Sequence, residues 1–292
     1  MTIFVLLMLV GTLSLGADDV LKRKYLREGM DEQILLGVSW LGGGLLLLIP
    51  LFIFGIPEIK TGFWSAFYAT TLLNIVSQNI FIRAFKLADA SLIAPLRFLT
   101  PPIVIFTGFL VLGEVPTYAG ALGILTTIAG LWFLLPSKGN DLGVEGRAAL
   151  RKGMIFGIMG SILFAFSFPF DKKAVVASSG IFFSSFVLIA VGILTIAGSM
   201  IFSKNSRISF FRDVMRWKVS LVFVSFAGGI GSFLTAQALG YSLAAYAASF
   251  KRLWSFWTVI LAGQFLEERD FGKRLWATVI MLVGVVITAI WG

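Results

Sequence analysis

The stretch Leu45-Leu-Leu-Leu-Ile-Pro-Leu-Phe-Ile-Phe-Gly-Ile56 holds no charged residue, and neither does Val279-Ile-Met-Leu-Val-Gly-Val-Val-Ile-Thr-Ala-Ile-Trp291. Both read as parts of membrane-spanning helices, each of which needs ~20 predominantly apolar residues. A membrane barrel would show ~10-residue segments of alternating polarity instead. The rest of the chain extends the pattern. Of its 292 residues, 58% are apolar and 13% charged, and the charged share is about half the ~25% of an average soluble domain. That composition excludes a disordered chain, a collagen-like chain and an ordinary water-soluble enzyme. The expected fold is an all-α integral membrane protein.

Ten transmembrane helices are expected, over residues 2–26, 33–56, 62–87, 90–112, 117–135, 153–176, 180–202, 217–240, 243–266 and 273–291. At ~20 residues each they take up ~200 residues and leave no room for a sizeable soluble domain. The longest polar stretch, Pro136 to Lys152, divides five helices from five. Residues 1–135 are therefore expected to form a first five-helix repeat, 136–152 a polar linker, and 153–292 a second five-helix repeat. A single offset of 154 pairs Ala84 with Ala238, Ala90 with Ala244, Leu99 with Leu253, Glu114 with Glu268 and Gly130 with Gly284, and puts Arg97 on Lys251. One ungapped offset over three spans predicts an internal repeat. An odd number of spans per repeat makes the repeats inverted, the plan of secondary transporters with a site near the midplane.

The net charge of +9 would suggest nucleic acid for a soluble protein. Here it reports topology, and no nucleic-acid partner is expected. Of the 24 Lys and Arg residues, 18 lie in or beside the loops after the odd-numbered spans, and three (Lys60, Lys172, Lys173) lie on the opposite side. That bias places the odd-numbered loops in the cytoplasm and both termini outside, in a multi-pass protein of the cell membrane. No basic segment precedes the first span, so no cleaved signal peptide is expected.

The chain has no Cys and no His. Disulfides, a Ser–His triad and the usual zinc ligands are excluded, and there is no P-loop. No catalytic residue, metal or cofactor is expected. The notable residues are the three cations inside spans: Arg97 in the fourth, and Lys251 and Arg252 in the ninth. Each lies roughly 10 Å into its helix. Intramembrane charges are costly and by default mark a site or pathway, although snorkelling or pairing with a carboxylate would also accommodate them. All 15 carboxylates read as lying in loops or near helix ends. The bundle centre is therefore expected to hold uncompensated positive charge, favouring an anionic ligand.

Other polar groups are candidates for lining a pathway. Asp18, Asp19 and Lys22 near the end of the first span correspond to Asp171, Lys172 and Lys173 in the sixth. Asp18 and Lys22 are spaced to pair on one helix face, and an ion-paired helix end is the plainer reading. Gln78 and Asn79, with Asn74, could bind a ligand or a neighbouring helix. Trp254 and Phe98 stand beside the intramembrane cations. Pro95, Pro101, Pro102 and Pro169 would kink helices and free backbone carbonyls, while Gly228, Gly229 and Gly231 would allow close helix packing.

The segment Ala88-Asp-Ala-Ser-Leu-Ile-Ala-Pro95 with Leu112-Gly-Glu114 is echoed by Ala244-Ala-Tyr-Ala-Ala248 with Phe265-Leu-Glu-Glu268. In this the chain resembles the drug/metabolite transporter superfamily, in particular its ten-helix EamA-type members, along nearly its whole length. Ser249-Phe-Lys-Arg-Leu-Trp-Ser255 is also similar to a Lys-Arg pair of the triose-phosphate translocator branch, which implies phosphate binding by Lys251 and Arg252. Members usually keep both termini in the cytoplasm, the reverse of the charge count here. The expected function is secondary transport of a small organic anion, such as a phosphorylated metabolite or lipid-phosphate, by alternating access. The alternative is export of neutral or zwitterionic metabolites such as amino acids; a membrane-embedded enzyme or scaffold is the reading from another class. Expected partners are membrane lipids and the small-molecule substrate. Without His or a mid-span carboxylate, exchange or facilitated diffusion is expected over proton symport.

Overall fold

The computed structural model describes residues 2–100, 103–104, 118, 122–123, 125–126, 129–130, 133, 144–202, 204–239, 241, 250–268 and 270–291. The described residues form helices without strands. These are α1 (Thr2–Arg27), α2 (Glu32–Phe54), α3 (Phe63–Leu87), α4 (Ala90–Ile93), α5 (Val144–Val176), α6 (Gly180–Phe202), α7 (Lys204–Arg216), α8 (Lys218–Leu239), α9 (Leu253–Phe265) and α10 (Phe271–Trp291). Five of them, α1, α2, α5, α6 and α8, are long and apolar enough to cross a membrane. Most of the expected fifth span lies outside the described residues, as do Pro101, Pro102, Glu114 and the entry to the ninth span at Ala244–Ala248.

Local chemistry sets the helix ends. Asp31 caps α2, its carboxylate accepting from the Gln33 and Ile34 N–H groups at 2.9 and 3.1 Å, which satisfies two donors the first turn leaves open. Gly29 and Gly55, at φ of 92° and 86°, form the turns on either side of α2, a conformation open to glycine at little steric cost. The fourth span starts as α4 and tightens into a 3-10 turn over Ala94–Leu99. Pro95, which has no N–H to donate, sits at the start of that turn. Pro169, by contrast, lies inside the continuous α5.

Two expectations are corrected here. α5 begins at Val144, within the stretch expected to be a linker; the good helix formers Ala148, Ala149, Leu150, Arg151 and Lys152 carry the helix outward from the apolar span. The segment expected as a loop between the seventh and eighth spans is the helix α7. Its Phe210 and Val214, with the following Trp217, recur at helical spacing and pack on the core.

Packing joins the two halves of the chain. α3 lies against α5, α1 against α8 and α9, and α2 against α6 and α8. The α2–α8 crossing is close: a Cβ on Gly43 would lie 3.1 Å from the Gly229 Cα, and one on Gly229 would lie 2.9 Å from the Gly43 Cα. Small residues permit such backbone approach between membrane helices. Outward-facing residues such as Phe52, Leu72 and Val222 are exposed and apolar, as a lipid-facing surface requires.

Candidate functional site

A cavity of about 940 Å³, counting the space at its open mouth, lies where α1, α2, α3, α5, α6, α8 and the start of α9 converge. Its charged lining is Asp18, Asp19 and Lys22 from α1, Asp171 from α5, Arg97 from the 3-10 turn and Lys251 just before α9. Three carboxylates thus face three cations. Trp40, Phe81, Phe85, Phe164, Phe183 and Trp254 supply aromatic walls, and Ser39, Asn74, Gln78, Ser184 and Ser232 supply neutral polar groups.

The expectation of uncompensated positive charge is overturned. Arg97 makes a two-pronged ion pair with Asp19, its second nitrogen donating at 3.2 Å. Thr258 adds a donor to the same carboxylate at 3.0 Å. The Arg97 guanidinium lies 4.0 Å from the Trp254 ring and 4.5 Å from the Phe81 ring, within the range of cation–π attraction. Both the charge and its faces are therefore occupied. Arg252 is 1% exposed and donates to the Arg97 carbonyl at 2.7 Å; it is not part of the cavity lining. Adjacent residues on a helix point ~100° apart, so Lys251 faces the cavity while Arg252 ties α9 to the 3-10 turn.

Lys251 Nζ lies 5.2 Å from the Phe164 ring and 5.8 Å from the Phe168 ring. Asp171 accepts from the Thr70 hydroxyl, which itself accepts from Asn74 at 3.0 Å. Lys22 donates to Asp18 at 2.6 Å, the i,i+4 pair expected from their spacing, but both are buried in the wall instead of sitting at an interfacial helix end. The other carboxylate oxygen of Asp18, Oδ1, is buried without a hydrogen-bond partner, as is Trp254 Nε1. Buried polar groups are nearly always paired. Both atoms are closed off within the wall, Asp18 Oδ1 against Gly228 of α8, so a ligand reaches them only when the wall shifts.

Of the other expected lining residues, Gln78 lines the cavity. Asn79 donates to the Ile75 carbonyl within its own helix at 2.8 Å. Lys173 is exposed and Lys172 half-buried, and neither lines the cavity. Asp18, Asp19 and Asp171, pathway candidates for which an ion-paired helix end is the plainer reading of the sequence, lie buried in the cavity wall. Helix length is the signal for that depth, because Asp18 lies nine residues before the end of α1 at Arg27, roughly 14 Å inside it. Among the described residues no group of three or more Asp and Glu is placed to hold a metal.

Past the cavity, at the end where the odd-numbered loops lie, a second cluster joins both halves. Asp89 accepts from Arg27 at 2.8 Å, from Arg23 at 3.3 Å and from Arg274 at 3.0 Å. The buried Glu268 accepts from the N–H groups of Ala90 and Ser91, both at 2.9 Å, so it caps α4 from the opposite half. Burial pushes the Asp89 carboxyl up, but Arg274, Arg23 and Arg27 outweigh it and hold the group below the usual carboxylate range. A carboxyl lowered in the folded state contributes stability above its unfolded value of ~3.9, and that contribution is lost as pH falls through the folded value. The stability gap between wild type and Asp89→Asn is therefore expected to hold steady above about pH 5 and to close below it, as thermal melts across that range would show.

Two copies of one family profile, described as the EamA-like transporter family, match residues 2–135 and 151–290. A comparison with curated proteins gives no match. Among solved structures, one crystal structure aligns at a TM-score of 0.68 over 96% of this chain and 95% of the other, with 13% identity. At that identity the likeness shows a shared fold.

Proposed function

The chain belongs to the EamA-like transporter family, a family of membrane transporters, and from that premise we propose that it is a secondary transporter for a small zwitterionic metabolite such as an amino acid. The carrying observation is the pair of orphan groups in a charge-balanced cavity: Asp18 Oδ1 lacks a donor and Trp254 Nε1 lacks an acceptor. An ammonium on Asp18 and a carboxylate shared by Trp254 and Lys251 would complete both. A purely anionic or phosphorylated substrate fits less well, because Asp18 and Asp171 share the wall with Lys22 and Lys251 and Arg252 is bonded to a backbone carbonyl.

Alternating access is supported by the packing. If the two family matches mark equivalent halves, exchanging them turns the α3–α5 contact into the α8–α1 contact and returns the α2–α6 contact to itself. The Asp89–Glu268 cluster ties α1, α4 and α10 together at one end and would have to break for these elements to separate there. With the odd-numbered loops cytoplasmic, as the charge bias indicates, that end is the cytoplasmic one. The chain has no Cys, so single-cysteine labelling is clean. In intact cells an impermeant maleimide is expected to label Glu58→Cys and to spare Glu28→Cys; the reverse pattern would invert the orientation.

The substrate class is tested by thermal shift. Ligands that bind only the folded protein raise its apparent stability by mass action. Amino acids are expected to stabilise the protein, whereas their N-acetyl and decarboxylated analogues stabilise it far less. Stabilisation by phosphorylated metabolites alone would favour the anion reading.

A further inference from the structure

The helix α7 follows α6 and precedes α8 in the chain, and its surface is of an unusual kind. It joins the end of one membrane-length helix to the start of the next, so it lies at a membrane surface. Its 13 residues span roughly 20 Å. Phe210, Val214 and the following Trp217 pack on the core, and Trp217 meets Tyr25 of α1 with ring centroids 6.1 Å apart. These contacts fix the roll of the helix. On the uncovered side, Phe211 and Met215 are 78% and 67% exposed, and Arg212 and Arg216 are exposed beside them.

At ~100° per residue, Phe211 and Met215 form one strip and Arg212 and Arg216 the neighbouring one. An apolar strip next to a basic strip suits a helix lying at the boundary between acyl chains and headgroups. From Lys204 to Lys218 the chain carries five cations and one acid, Asp213. The contact of Arg212 with Asp213, at 3.4 Å on an exposed surface, competes weakly with other anions.

We infer that α7 is a docking site for anionic phospholipid of the surrounding leaflet, with Arg212 and Arg216 gripping headgroup phosphates and Phe211 and Met215 set among the acyl chains. A guanidinium can hold two phosphate oxygens at once, and basic residues at a membrane surface favour anionic over neutral lipid. The site is separate from the cavity, and its occupant is recognised by charge.

Lipid occupancy of the purified full-length protein, read by native mass spectrometry, tests this with phosphatidylglycerol and phosphatidylcholine of identical acyl chains. Wild type is expected to prefer phosphatidylglycerol by about tenfold or more. R212Q/R216Q is expected to lose most of that preference, and R212K/R216K to keep much of it because the charge remains. Lys24→Gln, which removes an exposed cation of α1, should leave it intact. Equal binding of the two lipids by wild type would overturn the proposal and leave the face to a soluble partner. A preference that survives R212Q/R216Q, or one that R212K/R216K loses, would overturn it as well.

Discussion

Arg97→Gln is expected to lower the protein's melting temperature by roughly 5–15 °C, and Asp19→Asn in the same chain should restore most of the loss. The reason is the buried pair. Removing one partner of a buried, hydrogen-bonded ion pair costs about 3–5 kcal/mol, because the other charge is left without compensation. A folded protein is stable by only ~5–15 kcal/mol, so this is a large fraction of the whole. Removing both charges together costs far less, since neither partner stays behind as a buried ion. Asp19 would lose both prongs of Arg97 and keep only the Thr258 hydroxyl. Melts of the two single variants and the double variant form a cycle that isolates the pair. An Arg97→Gln protein as stable as wild type but deficient in ligand binding would return Arg97 to the substrate site.

Lys251→Gln and the paired change Asp18→Asn with Lys22→Gln should act the opposite way, on ligand instead of fold. Lys251 has aromatic faces and the Asp171 carboxylate as neighbours and a side chain that reaches the cavity; when Lys251 is replaced, Asp171 keeps the Thr70 hydroxyl as a donor. Its ammonium is assigned to the substrate carboxylate. Losing a charge-assisted hydrogen bond costs about 1.5–3 kcal/mol, or about tenfold or more in affinity. The Asp18–Lys22 pair is neutralised jointly because Asp18→Asn alone would strand a buried ammonium. Isothermal titration with the stabilising amino acid is expected to show both losses. With the decarboxylated amine, the remaining weak binding should depend on Asp18 and not on Lys251. Equal sensitivity of the two probes to both variants would refute the assignment of the two ends.

Much of the fold was legible because the helices are apolar runs with polar breaks. The observed α1, α3, α6, α8 and α10 lie within a few residues of the expected spans. α5 and α7 were misjudged because their extra turns are polar. Helical structure there rests on propensity and on Phe210, Val214 and Trp217 packing inward, neither of which shows as an apolar run. The site was harder to read. The cations in spans were visible as isolated charges, but their partners were not. Asp19 and Arg97 are 78 residues apart, and no local spacing reports that they meet. Asp18 and Asp19 looked peripheral because a Lys and Arg cluster follows them, although α1 continues to Arg27. Reading those carboxylates as peripheral favours the anion over the zwitterion; their burial is what supports the zwitterion proposed above. Their burial also removes one of the two grounds for expecting exchange over proton symport, the absence of a mid-span carboxylate, and leaves the other, the absence of His.

Carriage of a zwitterion through this cavity is measured by counterflow in proteoliposomes, with vesicles loaded with the stabilising unlabelled amino acid and the same compound labelled outside. Wild type is expected to accumulate label transiently, and Lys251→Gln to lose most of that signal while remaining folded and reconstituted. Counterflow undiminished in Lys251→Gln and in the Asp18→Asn/Lys22→Gln protein, or counterflow of phosphorylated anions without amino acids, would contradict it.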